Sequence, residues 1–277
     1  MTLQGATDTQ REPLVECRNV SVKYRIRHHY ALGLKESLIR RGRRLRNRLL
    51  RRRDPGRPRV TDFWALKDVT FSLFAGDVVG LIGTNGSGKS TLLRHLSAIE
   101  YPDRGEVILR GRVGSLLNLS SGFKPQLSGL ENVFLRGAIL GLSKAQVQEV
   151  LPQVVEFCEL GEFLYAPLNT YSAGMKARLG FSIAICIRPD VLLLDEVIGV
   201  GDARFKEKAG NVFRYFKSDE QERTILMATH SVELIREHCN KALWLDRGTV
   251  RFCGEAEKVI DEYLSYVRLT SDERSTS

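Results

Sequence analysis

The stretch Gly83-Thr84-Asn85-Gly86-Ser87-Gly88-Lys89-Ser90-Thr91 fits the pattern G-x-x-x-x-G-K-[ST]. Glycines at this spacing let successive backbone N–H groups turn toward one centre, and a helix that follows aims its positive dipole end there. Lys89 would reach the β- and γ-phosphates of a nucleotide, and the Ser90 hydroxyl would ligate Mg²⁺. A second group is Asp195-Glu196, two carboxylates at the end of the apolar run Val191-Leu192-Leu193-Leu194. Such a pair is costly in an apolar setting unless a cation or polar ligand compensates it. Asp195 is then a Mg²⁺ holder, and Glu196 a general base for a water attacking the γ-phosphate. His230 closes another apolar run, Thr224–Thr229, and would donate a hydrogen bond to the same phosphate. A lone histidine is more often structural, and its strand-end position is what favours the functional reading.

Ser172-Ala173-Gly174-Met175 opens a helical pattern. A hydroxyl-bearing, glycine-containing helix start is a second anion site. One nucleotide does not need two γ-phosphate sites on one chain. A head-to-tail dimer resolves this, with the turn of one chain capping the nucleotide held by the other.

The elements that must position these groups are legible in the spacing. Asp77–Ile82 reads as a buried parallel strand and Thr91–Leu96 as the following helix. Leu14–Tyr24 and Trp64–Phe74 alternate as strands, Asp103–Gly105 is a turn, and Glu106–Leu109 and Val113–Leu117 are strand-like. Leu130–Leu140, Ala145–Cys158 and Ala173–Ile187 carry helical spacing. Alternating strands and helices continue to about Val267, and Arg268–Ser277 reads as a frayed tail. The pattern predicts a phosphate-binding α/β core, 14–118 and 181–267, interrupted by a helical unit, 119–180, after a flexible lead-in, 1–13. In such folds ligands sit at the carboxyl ends of the strands, where all three groups would converge.

With 277 residues, 43% hydrophobic and 27% charged, the chain has the composition of an ordinary globular protein. No run approaches the roughly 20 apolar residues of a membrane span, and the polar start, Met1–Glu16, has no apolar leader. Five cysteines lack metal-ligand spacing and read as reduced core residues. The net charge of +9 is concentrated in an insertion, 25–59, where Arg40–Arg53 interleaves arginine with Leu45, Leu49 and Leu50. That stretch suits an amphipathic interfacial helix with arginines toward lipid headgroups or a membrane partner. A solvated insertion and a nucleic-acid phosphate clamp remain open alternatives, though few aromatics are present to stack bases.

Taken together, these motifs resemble the ATP-binding subunits of ABC transporters over nearly the whole chain. The resemblance implies a P-loop NTPase of α/β class, with a RecA-like core, an antiparallel β subdomain and a helical signalling subdomain. It implies ATP and Mg²⁺ as ligands, Gly83–Thr91 as the phosphate loop, and Asp195 with catalytic Glu196 as the metal-and-base pair. His230 takes the switch position, and Ser172–Met175 stands where the family usually reads S-G-G-Q. Tyr24, after the first strand, matches the aromatic that stacks on adenine. Asn118 stands where a glutamine usually meets Mg²⁺, one methylene shorter. Tyr171–Leu179, Glu196–Asp202, Leu116–Phe123 and the arginine-rich insertion look like the branch that exports O-antigen, teichoic acid and galactan.

The expectation is therefore an ATPase at the cytoplasmic face of the membrane, peripheral, and homodimeric beneath two copies of a membrane-spanning permease. Its cargo would be a lipid-linked polysaccharide, without the extra C-terminal carbohydrate-binding domain of some relatives, and no nucleic-acid partner is expected. The alternatives are a drug or lipid exporter using the same ATPase, or a soluble ABC-type ATPase acting on nucleic acid.

Overall fold

Val15, Cys17, Val20 and Val22 are the buried apolar residues of the first strand, and their parity flips between positions 17 and 20. A regular strand would turn half of them to solvent. The chain instead inserts a bulge, with Asn19 at φ 51, and the partner strand does the same at Asp68, φ 50. Asn and Asp are the side-chain-bearing residues that most readily adopt the left-handed region, and here each bonds across to the opposite strand: Asn19 Oδ1 accepts from Thr70 Oγ1 and Asp68 Oδ1 from Ser21 Oγ, both at 3.2 Å. The Asn19 amide donates to Thr70 Oγ1 at 2.9 Å, and the Asp68 amide to Ser21 Oγ at 2.9 Å. The inward face is thereby restored on both strands, β1 (Val15–Arg27) and β2 (Val60–Leu73). With β4 (Arg104–Leu109) they form an antiparallel sheet in the order β2-β1-β4.

The computed structural model describes residues 11–27, 60–98, 100–117, 119, 122–195 and 223–275. Arg40–Arg53, Asn118, Glu196 and the segment to Asp202 lie outside those residues. A second sheet has the order β5-β6-β7-β3-β8-β9. Its members are β3 (Val78–Ile82), β5 (Val113–Ser115), β6 (Val191–Leu194), β7 (Thr224–Ala228), β8 (Lys241–Asp246) and β9 (Thr249–Glu255). All neighbours pair in parallel except β8 and β9, a hairpin. The continuous apolar runs of β6 and β7 are buried on both faces, as central parallel strands require. One face packs with the antiparallel sheet and helix α1 (Lys89–Leu96) around Leu66, Leu73, Leu81, Leu92 and Leu243. On the other, α5 (Val232–His238) and α6 (Ala256–Ser275) bury Ile82, Ile235, Trp244 and Ile260.

The helical unit has its own core. Helices α2 (Gly129–Ile139), α3 (Lys144–Cys158) and α4 (Ala173–Cys186) enclose Val133, Val154, Leu164, Leu179 and Ile183. Ser128 with Glu131 and Ser143 with Gln146 form reciprocal capping boxes that fix where α2 and α3 begin. Helix α4 crosses position 180 and serves both layers, since its Phe181 and Ile185 pack with Leu192 and Leu194 of β6. Two differences from the sequence reading concern chain ends. Arg268–Ser277, expected to fray, is helical as far as Ser275. Pro13, expected in a loose lead-in, accepts a 2.9 Å hydrogen bond from Arg110 through its carbonyl.

Candidate nucleotide-binding site

The phosphate loop runs from the end of β3 into α1. Gly88 is the helix N-cap at φ 107, a left-handed conformation that leaves no side chain to cap the helix. The first-turn N–H groups therefore have no side-chain acceptor at the cap and are available to an external anion. Gly83 is demanded by crowding: a Cβ there would overlap the carbonyl oxygen of Leu245 on β8. The Ser87 amide donates to the Thr84 carbonyl at 3.1 Å, closing the turn.

Lys89 Nζ donates to the carbonyls of Gly83 at 2.6 Å and Thr84 at 3.2 Å, so its ammonium is curled over the mouth of its own loop. Burial pushes its pKa down, with the Asp195 carboxylate acting in the opposite direction. A partly desolvated cation beside free helix N–H groups is suited to a polyanion such as a triphosphate.

The sheet brings the other groups to the same edge. Leu194, Met227 and Gly80 lie level across β6, β7 and β3. Asp195 follows one residue past that level on β6, and His230 three residues past it on β7. Asp195 Oδ2 accepts from Ser90 Oγ at 3.3 Å, joining β6 to the first turn of α1. His230 is exposed, and it directly precedes Ser231, whose hydroxyl caps α5 by accepting from Leu234 N. A hydroxyl and a carboxylate in contact beside the phosphate loop fit a magnesium site completed by phosphate and water oxygens.

Tyr24 stands on β1 with 37% of its surface exposed, opposite Phe63 of β2, which is 51% exposed. Two exposed rings at directly opposite positions of an antiparallel pair lie on the same face of the sheet, side by side, as a candidate apolar platform. Phe63 is invisible as a site residue in the sequence because only the β1–β2 register pairs it with Tyr24. Two residues further along β2, the Ala65 carbonyl and the Leu66 side chain abut Gly88, at 2.8 and 2.9 Å from where its Cβ would lie. The platform is thus on the strand that leans on the phosphate loop.

The Ser172–Met175 turn has the expected form, with Ser172 Oγ accepting from the Met175 amide at 3.2 Å at the start of α4. The fold does not join it to the phosphate loop: Met175 packs with the helical unit's core. Asn118 and Glu196 fall outside the described residues, although their neighbours Leu117, Leu119 and Asp195 do not. A Cβ on Gly180 would overlap the Leu119 carbonyl, so the segment next to Asn118 lies directly against α4.

A family profile described as "ABC transporter" matches residues 66–199. The O-antigen export system ATP-binding protein RfbB of Klebsiella pneumoniae is 37% identical over 91% of this chain and 98% of its own length. The teichoic acids export ATP-binding protein TagH of Bacillus cereus is 38% identical over 92% of this chain. This chain spans only 43% of that protein's length, and 37% of the length of its Bacillus anthracis counterpart. Among solved structures, an ATP-binding subunit of an ABC transporter superposes with a TM-score of 0.65 at 22% identity, covering 93% of this chain and 99% of that one. A dimeric ATP-binding cassette in a post-hydrolysis state with ADP and Pi gives 0.61 at 21% identity, covering 87% and 98%. These likenesses bear on the fold. No described helix is long and apolar enough to cross a membrane.

Proposed function

The chain belongs to the ABC transporter ATP-binding family, and from that premise we propose that it is the ATP-hydrolysing subunit of a polysaccharide exporter. The observation that carries the ATPase reading is the contact between Ser90 and Asp195, directly beside a loop that has the Lys89 ammonium bonded to its carbonyls and a helix start without a side-chain cap. In this reading the loop binds the β- and γ-phosphates of ATP, Lys89 leaves its carbonyl partners for the phosphates, and the Tyr24–Phe63 platform takes the base. Ser90 and Asp195 would hold Mg²⁺, which when bound neutralises charge developing on the phosphate oxygens. Glu196, next to Asp195, is the proposed base for the attacking water, and His230 the proposed donor to the γ-phosphate.

Phosphoryl transfer is mainly positioning and charge stabilisation, so a second surface must close the site. The Ser172–Met175 turn of a second copy supplies it, in a head-to-tail homodimer. The dimer would work beneath a membrane-spanning permease, peripheral to the membrane on its cytoplasmic face. A lipid-linked polysaccharide cargo rests on the names of the relatives, TagH and RfbB.

The test is ATP hydrolysis by the chain co-expressed with its candidate permease, with and without lipid-linked glycan. Stimulation by glycan supports the exporter reading; indifference to glycan with stimulation by RNA overturns it. Glu196→Gln should reduce turnover by about a hundredfold or more. A Glu196→Gln protein with the parental rate removes Glu196 from the mechanism.

A further inference from the structure

The turn between β8 and β9 is bonded both to the glycine-rich loop and to strand β2. Gly248, at φ 80 in that turn, donates its N–H to the carbonyl of Ser87 in the phosphate loop at 2.8 Å. Its own carbonyl accepts from the Lys67 amide of β2, also at 2.8 Å. One glycine therefore bonds in both directions, to the loop that would hold phosphates and to the strand that carries Phe63.

The packing is as tight as the bonding. A Cβ on Gly248 would lie 2.6 Å from the Ala65 carbonyl oxygen, and a Cβ on Gly88 would lie 2.8 Å from the same atom. Ala65 is thus gripped from two sides, by the phosphate loop and by the turn. Phe63 precedes it by two residues on the same strand, with the β1–β2 register shifting at Ala65 itself. The gripped residue is therefore on the stretch of β2 that leads directly to Phe63.

We propose that Gly248 is a positioning residue that sets the separation between the nucleobase platform, Tyr24 with Phe63, and the phosphate loop. The proposal rests on the nucleotide-binding reading above and adds a division of labour to it. The loop holds the phosphates by itself; the turn makes base and phosphates reachable by one ligand. A nucleotide spans both parts and is sensitive to their spacing, whereas an inorganic polyphosphate uses only the loop.

That difference gives a test that general destabilisation would not mimic. Binding of AMP-PNP and of tripolyphosphate, each with Mg²⁺, is measured by calorimetry on the full chain and its variants. Gly248→Ala introduces a Cβ against the Ala65 carbonyl and a strained left-handed alanine. Lys67→Pro deletes the β2 half of the brace without altering the loop; β2 is an edge strand and Lys67 N points to the turn, so proline is tolerable there. Gly254→Ala on the same hairpin, where a Cβ meets nothing within 4 Å, is the control.

The expected result is a loss of AMP-PNP affinity of about tenfold in Gly248→Ala and several-fold in Lys67→Pro, a scale set by the stacking of one base. Tripolyphosphate affinity stays within about twofold in both, and Gly254→Ala behaves as the parent. Phe63→Ala should reproduce the selective loss. Unchanged AMP-PNP binding in both brace variants overturns the proposal. So does a matched loss of both ligands, which would make Gly248 a support of the loop alone. Should the parent chain bind neither ligand, the nucleotide-site reading itself falls.

Discussion

Ser90 Oγ donates to Asp195 Oδ2 at 3.3 Å, across 105 residues of sequence and over the intervening strand β7. The contact joins the first turn of α1 to the end of β6. A hydroxyl and a carboxylate held together in this way bind a divalent cation better than either alone, because the pair is organised before the ion arrives. Asp195→Asn keeps the size and one acceptor but removes the charge. It should leave AMP-PNP binding in EDTA near the parental level while Mg²⁺-supported hydrolysis falls by about a hundredfold. Equal losses with and without Mg²⁺ would assign Asp195 to the loop's folding instead.

Asn132 is fully buried, and its side chain is completely used. Its Oδ1 accepts from the Lys124 amide at 2.8 Å, and its Nδ2 donates toward the carbonyls of Lys124, Leu127 and Ser128 at 3.1, 3.2 and 2.8 Å. One amide therefore ties the loop before α2 to the helix. Asn132→Ala leaves the Lys124 amide without its acceptor and opens a cavity, while the three carbonyls keep their backbone donors, at a cost of about 1–3 kcal/mol. Asn132→Asp should cost more, because a carboxylate would face three carbonyl oxygens. Urea denaturation measures the loss, and faster hydrogen exchange at Lys124 would localise it.

Much of this arrangement is legible in the sequence because short-range patterns determine it. The phosphate loop follows a β-branched run and precedes a helical one, and α2, α3 and α4 begin within a residue of where apolar spacing puts them. Three things are not legible. Phe63 becomes a site residue only through strand register. Gly248 reads as an ordinary hairpin glycine until the fold lays its turn against Ser87. Asn132 resembles any polar helix residue, since its four partners are backbone groups that composition does not reveal. Each depends on contacts between segments, and a single chain's periodicity carries no information about those. The reading of the insertion 25–59 and of the base at Glu196 rests on the sequence alone, as Arg40–Arg53 and Glu196 lie outside the residues the structure describes.

The α2 capping box gives a pH signature. Glu131 Oε2 accepts from the Ser128 amide at 2.8 Å and the Ser128 hydroxyl at 2.7 Å. These hydrogen bonds, the backbone one foremost, hold its carboxyl below the ordinary value of 4.5. A depressed carboxylate stabilises the fold fully above its unfolded-state value, and that contribution is lost as pH falls through the lower folded value. Glu131→Gln preserves the box geometry without the titration. Urea midpoints followed from about pH 6 to about pH 3 should therefore fall less steeply in Glu131→Gln than in the parent. Parallel curves would mean that the box contributes no proton linkage.

The proposed head-to-tail dimer makes a prediction that no single-chain site shares. Lys89→Ala disables the phosphate loop, and Ser172→Arg disables the turn that caps the opposite nucleotide; each protein alone should be inactive. In a mixed dimer, one site combines both lesions, while the other receives an intact loop from the Ser172→Arg chain and an intact turn from the Lys89→Ala chain. Random exchange of equal amounts makes half of the dimers mixed, each with one competent site of two. Activity should then return to about a quarter of the parental value if sites act independently. A site built within one chain leaves every mixture as inactive as its components, because no exchange of subunits could bring Lys89 and Ser172 together.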